Sequence, residues 1–393
     1  MKFFSWFCFF VLVFFLQQIL LSQPKGNELD DLAQKLVTVC ADIKEGEIVL
    51  VTGSVRDVEL LENIAVHVRK VGAFPMISIG SDRLTRRMFT DVPEKYDAQK
   101  PELDAKLSDI INSIISVETG EAEGLLADIS PERFAVRTKA YEEVTKMYLD
   151  RKVRSVNLGN GLYPTETLAK RYKVSKKELT DIFWKGVNVD FKKLQANGDA
   201  VRKMLENGKQ VRITTPAGTD LTIEIEGRPI NISDGVISEE DFRKGPGNYD
   251  VWLPAGEVYL TPTSGTAEGK VVVEKYFSEG KVVEGLTLTF KAGKVISITA
   301  KSGFERMKKV YDASGEGKDE FAFLDFGINP NVKIPQGSDM VAWMPAGMVT
   351  VGIGNNTWVG GENNVGYSLA LFLTGATVTV DGKIIVEKGV LKI

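Results

Sequence analysis

Histidine occurs once and cysteine twice in 393 residues, and 49 Lys plus Arg nearly balance 53 Asp plus Glu. Each shortage excludes a chemistry. One imidazole and at most two thiols cannot build a His/Cys cluster for a transition metal. A Ser-His-acid triad would have to use His67, which stands in the helical pattern NIAVHVRKVGA, remote from the glycine-rich segments that look like a site. A lone helical histidine reads first as a structural or surface residue. The formal net charge of −4 offers no basic field for phosphate backbones, which disfavours nucleic-acid binding. No repeat of fixed period and no low-complexity tract occurs, and the aromatic residues are scattered along the chain and read as core.

The N-terminus is MKFFSWFCFFVLVFFLQQILLSQPKGNELDD. Lys2, an apolar run from Phe3 to Leu16, a wetter Gln17-Gln18 and a polar segment after Ser22 read as a secretory signal peptide over residues 1–22, implying a periplasmic or secreted mature chain. Left uncleaved, the same stretch of about 20 residues would be a membrane anchor. Cys8 leaves with the signal, so the mature chain keeps Cys40 alone and forms no internal disulfide. Cys40, within LAQKLVTVCADI, reads as a small buried hydrophobe.

With 43% hydrophobic and 26% charged residues, the chain can bury two cores. EIVLVTGSV reads as a buried strand, VELLENIAVHVRKVGA as a helix and FPMISIGS as a second strand, an order that argues a parallel βαβ unit. Residues 85–205 are charged and read as helices packed on that sheet. Beyond Lys209 the segments VRITTPAGTDLTIEIEGRPINIS, KVVVEKYF, EGLTLTFKAGKVISITAKS and TVTVDGKIIVEKGVLKI alternate apolar and polar residues between glycine-bearing turns, as antiparallel strands do. The expectation is an α/β domain with a parallel sheet over 23–208 and a β-rich α+β domain over 209–393.

Three segments carry candidate chemistry. NYDVWLPAGEVYLTP contains one carboxylate besides Asp250, Glu257 after a glycine, which reads either as a turn glutamate in solvent or as a group set close to a ligand or metal. FAFLDFGINPN places Asp325 among apolar neighbours, where an acid caps the following turn or, if buried, needs a partner or a cation. EGRPINISDG supplies Arg228, able to hold a carboxylate in bidentate fashion or to form an ordinary ion pair.

Taken in order, Glu-Gly-Arg-Pro with Asp-Gly, then Gly-Glu-Val-Tyr, Phe-Gly-Ile-Asn-Pro-Asn, Gly-Gly-x-Asn and Val-Asp-Gly-Lys, the chain resembles the M29 metallo-aminopeptidases of the aminopeptidase T type. The resemblance implies an aminopeptidase T-like, homodimeric exopeptidase whose C-terminal domain holds a pair of divalent metals on two Glu, two His and one Asp. Glu257 falls on the first glutamate and Asp325 on the second, one methylene shorter. Thr350, Ser368 and Ala370 stand where the two histidines and the aspartate are expected.

The sequence therefore keeps two of the five expected ligands. Zinc or cobalt would be held weakly by two carboxylates. Neutral oxygens of Thr350, Ser368 and Asn363 would suit a Ca²⁺ or Mg²⁺ site instead, or no metal binds at all. The expectation is a catalytically impaired or silent aminopeptidase-like protein whose cleft binds a peptide end or small molecule through Arg228, Asn363 and Tyr367. The alternative is an active aminopeptidase working through altered ligation.

Overall fold

The computed structural model describes residues 26–245, 248–278 and 281–393, so the signal-peptide reading of residues 1–22 lies outside the described residues. β1 (Ile48–Ser54) and β2 (Phe74–Gly80) are the two expected strands, parallel and joined by the helix Val58–Lys70. That helix turns Leu60, Leu61, Ile64 and Val68 inward, an apolar stripe at helical spacing. Gly53 lets it approach the sheet, since a Cβ there would lie 2.7 Å from the Leu61 side chain.

The helix-rich stretch hides two further strands, which corrects its reading as helices alone. β3 (Ser113–Val117) and β4 (Arg154–Leu158) each span five residues between charged helices, the longest being Pro131–Asp150. Runs this short carry little periodicity of their own, and it is parallel pairing, β3 on β1 and β4 on β3, that makes them strands.

Beyond residue 209 the chain forms β5 (Gln210–Thr214), β6 (Asp220–Glu224), β7 (Asn231–Ser233), β8 (Asp250–Leu253), β9 (Glu257–Leu260), β10 (Glu268–Ser278), β11 (Lys281–Lys291), β12 (Lys294–Thr299), β13 (Phe321–Gly327), β14 (Val349–Gly354), β15 (Ser368–Phe372), β16 (Thr377–Val380), β17 (Lys383–Glu387) and β18 (Val390–Leu391). β8 returns to the first half and completes a parallel sheet of order β2-β1-β3-β4-β8. The remaining strands make two antiparallel sheets, β12-β11-β10-β6-β5-β16-β17-β18 and β15-β14-β13-β9-β7.

One apolar core runs through both halves, from Leu32 to Val386, with Cys40 fully buried in it and its thiol pushed up to about 12 by burial. In the five-stranded antiparallel sheet, β13 and β14 are buried along their whole length. Sheets covered on both faces read as continuous apolar runs rather than as alternation. One face of this sheet meets the main core; the other meets a second, aromatic cluster.

Candidate functional site

Residues directly opposite each other on paired strands share a face, and every second residue along a strand returns to it. Asp325 pairs with Tyr259 on β9 and with Thr350 on β14, and Thr350 pairs with Phe372 on β15. One row away, Glu257 faces Gly327. On the other side Gly352 pairs with Phe323 and Ala370, and Gly354 with Ser368. Strand register therefore brings Glu257, Asp325, Thr350, Ser368 and Ala370 onto a single face of one sheet.

Aromatic rings cover that face. Phe323 lies over Gly352, where any Cβ would collide with the ring. Trp358 centres the group, with ring centroids 5.0 Å from Phe323 and 5.7 Å from both Tyr259 and Trp252. Trp343 adds contacts to Phe323 at 5.8 Å and to Phe372 at 5.1 Å. Ala370 packs against the same cluster. A small apolar residue thus stands where the resemblance expects an aspartate, and rings take the space above it.

The two carboxylates sit beneath this layer. Glu257 opens β9 and is 3% exposed, so it is no solvent-facing turn residue; its Oε1 accepts a 2.6 Å hydrogen bond from Asn160 Nδ2. Asn160 follows β4 in the left-handed conformation that asparagine tolerates (φ 49°) and also donates to the Pro254 carbonyl at 3.2 Å. It is the link between the parallel sheet and the site. Asp325 is fully buried, and among the described residues neither of its oxygens accepts a hydrogen bond, so it does not cap the turn after it. The Thr350 hydroxyl beside it is likewise buried without a partner. Burial raises Glu257 to about 7; burial, and then the charge of Glu257, raise Asp325 well above the carboxylate range. Burial and their mutual repulsion both favour the neutral forms of the pair.

This donor set does not fit the paired metal ions that the resemblance implies. Zinc and cobalt need imidazole or thiolate donors, and His67, 5% exposed, is engaged in the first half of the chain with Asp30 at 2.9 Å. Among the described residues no three His, Cys, Asp or Glu side chains stand together as metal ligands. Nor do neutral oxygens assemble the six to eight ligands that Ca²⁺ takes. Ser368 is exposed at the start of β15, and Asn363 Nδ2 holds the Gly317 and Gly354 carbonyls, each at 2.8 Å.

The three residues expected to bind ligand are not brought together. Asn363 fixes a turn as just described. Tyr367 is buried edge-on against Tyr311, centroids 5.6 Å apart, with its phenol pushed up by burial. Arg228 stands apart, lining a pocket of about 480 Å³. Sequence reasoning missed Asn160, which carries no motif, and the rings of Trp252, Phe323, Trp343 and Trp358. One signal was available: each of these tryptophans lies within a few residues of a glycine in the segments that flank Glu257 and Thr350.

Asn160→Ala is expected to cost about 1–3 kcal/mol, because it leaves the Glu257 carboxyl buried without its donor. Urea denaturation checks this, and an unchanged midpoint would mean that Asn160 does not hold Glu257.

The family described as Thermophilic metalloprotease (M29) matches residues 25–323, ending just before Asp325. Aminopeptidase 2 of Geobacillus stearothermophilus is 24% identical over 307 residues, 73% of either chain. Aminopeptidase AmpS of Bacillus subtilis (strain 168) is 22% identical over 312 residues, 73% of this chain and 74% of its own. Among solved structures, wild-type AmpT from Thermus thermophilus matches with a TM-score of 0.71 at 17% identity, over 93% of this chain and 99% of that one. The 2,5-dihydroxypyridine dioxygenase of Pseudomonas putida KT2440 matches with a TM-score of 0.59 at 15% identity, over 94% and 98%. These two likenesses speak to the fold, which is aminopeptidase T-like. The extent of the family match makes this chain a member of the M29 metallopeptidase family.

Proposed function

We propose that this chain is a catalytically silent M29 protein, exported by residues 1–22, that keeps the aminopeptidase cleft as a place to hold a small ligand. One observation carries the reading. On the face where the resemblance expects five metal ligands, Thr350, Ser368 and Ala370 replace three, and the two surviving carboxyls lie under a packed aromatic layer. Peptide hydrolysis on this scaffold needs a water made nucleophilic near neutral pH, which Lewis-acid metal chemistry supplies. Glu257 and Asp325 are a weak hold for such an ion, since among the described residues no third His, Cys, Asp or Glu stands with them. The likeness of this fold to that of a dioxygenase adds that the architecture is not tied to one chemistry.

The test is to load the purified mature protein with Zn²⁺, Co²⁺ or Mn²⁺, desalt it, measure retained metal by elemental mass spectrometry, and assay leucine p-nitroanilide. The expected result is no retained ion and no release above a protein-free blank. One or two retained ions per chain, with turnover abolished by Asp325→Ala, would overturn the reading in favour of an active aminopeptidase with altered ligation.

A further inference from the structure

We propose that residues 355–366, the connection between β14 and β15, form a gate that swings as one piece, lifts Trp358 off the buried carboxyls and opens the cleft to the pocket lined by Arg228. The inference concerns how a ligand reaches the cleft, so it rests on the retained-cleft part of the proposed function and not on catalytic silence.

The segment is bonded largely to itself. Asn363 N donates to the Asn356 side-chain oxygen at 2.8 Å, and Asn356 N to the Asn363 carbonyl at 3.0 Å. Gly361 N adds a bond to the Asn356 carbonyl at 2.8 Å, and a Cβ on Gly361 would lie 2.3 Å from the Asn356 side chain. Asn355 Nδ2 donates to the Asn364 side-chain oxygen and to the Val365 carbonyl, each at 3.2 Å. All of these bonds travel with the segment when it moves. Its base is closed by Asn355 N on the Tyr367 carbonyl at 2.7 Å, and it is flanked by Gly354 (φ 91°) and Gly366, residues able to absorb a change of backbone angle.

Beyond that base, the ties to the rest of the chain are sparse. Asn231 Nδ2 donates to the Val359 carbonyl at 2.9 Å and Asn363 Nδ2 to the Gly317 carbonyl at 2.8 Å. Gly360, Glu362, Asn364 and Gly366 are exposed, and Val359 and Val365 are the buried apolar anchors. The connection between β13 and β14, which carries Trp343, is held differently. It buries Met340, Ala342 and Met344, and the fully buried Asn329 bonds its two ends together. Segments with few buried apolar groups and exposed bonds open at the lowest cost, which singles out 355–366.

The pocket gives the segment room to move. It encloses about 480 Å³, and Thr357, Gly360 and Glu362 line it together with Leu149, Arg228 and Asn231. Asn231 is also opposite Tyr259 in strand register, so the pocket adjoins the face that carries Glu257 and Asp325. Thr357 and Val359 line the pocket, while the ring of Trp358, between them in sequence, lies 5.7 Å from Tyr259 and 5.0 Å from Phe323. The segment is therefore the partition between the pocket and the buried carboxyls, and moving it joins the two.

Thiol labelling tests the gate. Asp325→Cys, made in the mature chain, places a reporter under the aromatic layer, and Cys40, fully buried in the first half of the chain, is the internal control. The probe is methyl methanethiosulfonate, with labelling at each thiol followed by peptide mass spectrometry. Asn363→Ala removes the bonds from Nδ2 to Gly317 and Gly354, and is expected to speed labelling of the reporter about tenfold while Cys40 stays protected. Trp358→Ala should expose the reporter from the start, so that Asn363→Ala added to it changes nothing further. Should Asp325→Cys fail to fold, Thr350→Cys, opposite it in register, reports on the same face. The gate is overturned if Asn363→Ala leaves the reporter unchanged or speeds Cys40 equally. It is also overturned if Asp339→Asn, which loosens the other connection by removing its pairs with Lys173 at 2.6 Å and Lys275 at 2.8 Å, speeds the reporter as much. Retained metal with turnover would overturn silence whether or not the gate opens, so the two failures can be told apart.

Discussion

Phe323→Ala is expected to lower stability by about 3–5 kcal/mol, as truncation of a buried aromatic core residue typically does. Phe323 is fully buried, and it fills the space above Gly352 while touching both Trp343 and Trp358. Its removal leaves a void that backbone cannot close, because β13 and β14 are pinned by their register on either side. The void would open over Gly352, one row from the buried Asp325 on the same face, and would admit water to that side of the sheet. Urea denaturation followed by tryptophan fluorescence reads both effects. Trp252, Trp343 and Trp358 are three of the five tryptophans in the chain, so their emission should shift to the red as they are wetted. A loss under about 1 kcal/mol with unchanged emission would show that the aromatic layer is not packed on this face.

Asp325→Asn is expected to have the opposite sign. Glu257 and Asp325 both have folded-state pKa values raised above their unfolded ones, so between those values the native protein binds more protons than the unfolded chain. The stability contributed by the neutral pair is therefore fully present below the unfolded carboxyl values near 4 and is lost as pH rises through the folded values, with Glu257 at about 7. Wild type should weaken from about pH 5 towards pH 8, while Asp325→Asn, which cannot ionise, should decline less and be the more stable of the two at pH 8. Chemical denaturation at pH 5 and pH 8 measures the difference. If the carboxylates instead held a metal ion, they would need to be ionised, and Asp325→Asn would destabilise the metal-loaded protein at pH 8. The sign of the change thus separates the two descriptions of the site.

Much of the first half was legible because its signals are local. The apolar run of β1, the inward stripe of Val58–Lys70 and the second strand stand in sequence order, and parallel pairing follows from that order. β3 and β4 were hidden because five residues between charged helices carry no pattern that outweighs their neighbours. β8 was hidden for a different reason: it is separated from the sheet it completes by the β5 to β7 segment, and only pairing with β4 assigns it. Glu257 and Asp325 could be singled out from motif order. Their burial and proximity could not, because taken alone Glu257 reads first as a solvated turn residue and Asp325 as the cap of the turn that follows it.

What the sequence determined by itself is an inventory. A chain with one histidine, placed in the first half, has no imidazole for the second half under any alignment, since folding moves residues together and does not change their side chains. The tertiary structure decided adjacency. Thr350, Ser368 and Ala370 became one face with Glu257 and Asp325 through the pairing of four strands, and tryptophans up to about 100 residues apart met above them. Such contacts depend on register, where a slip of one residue turns every side chain to the opposite face, and register is settled by the whole sheet packing against its core.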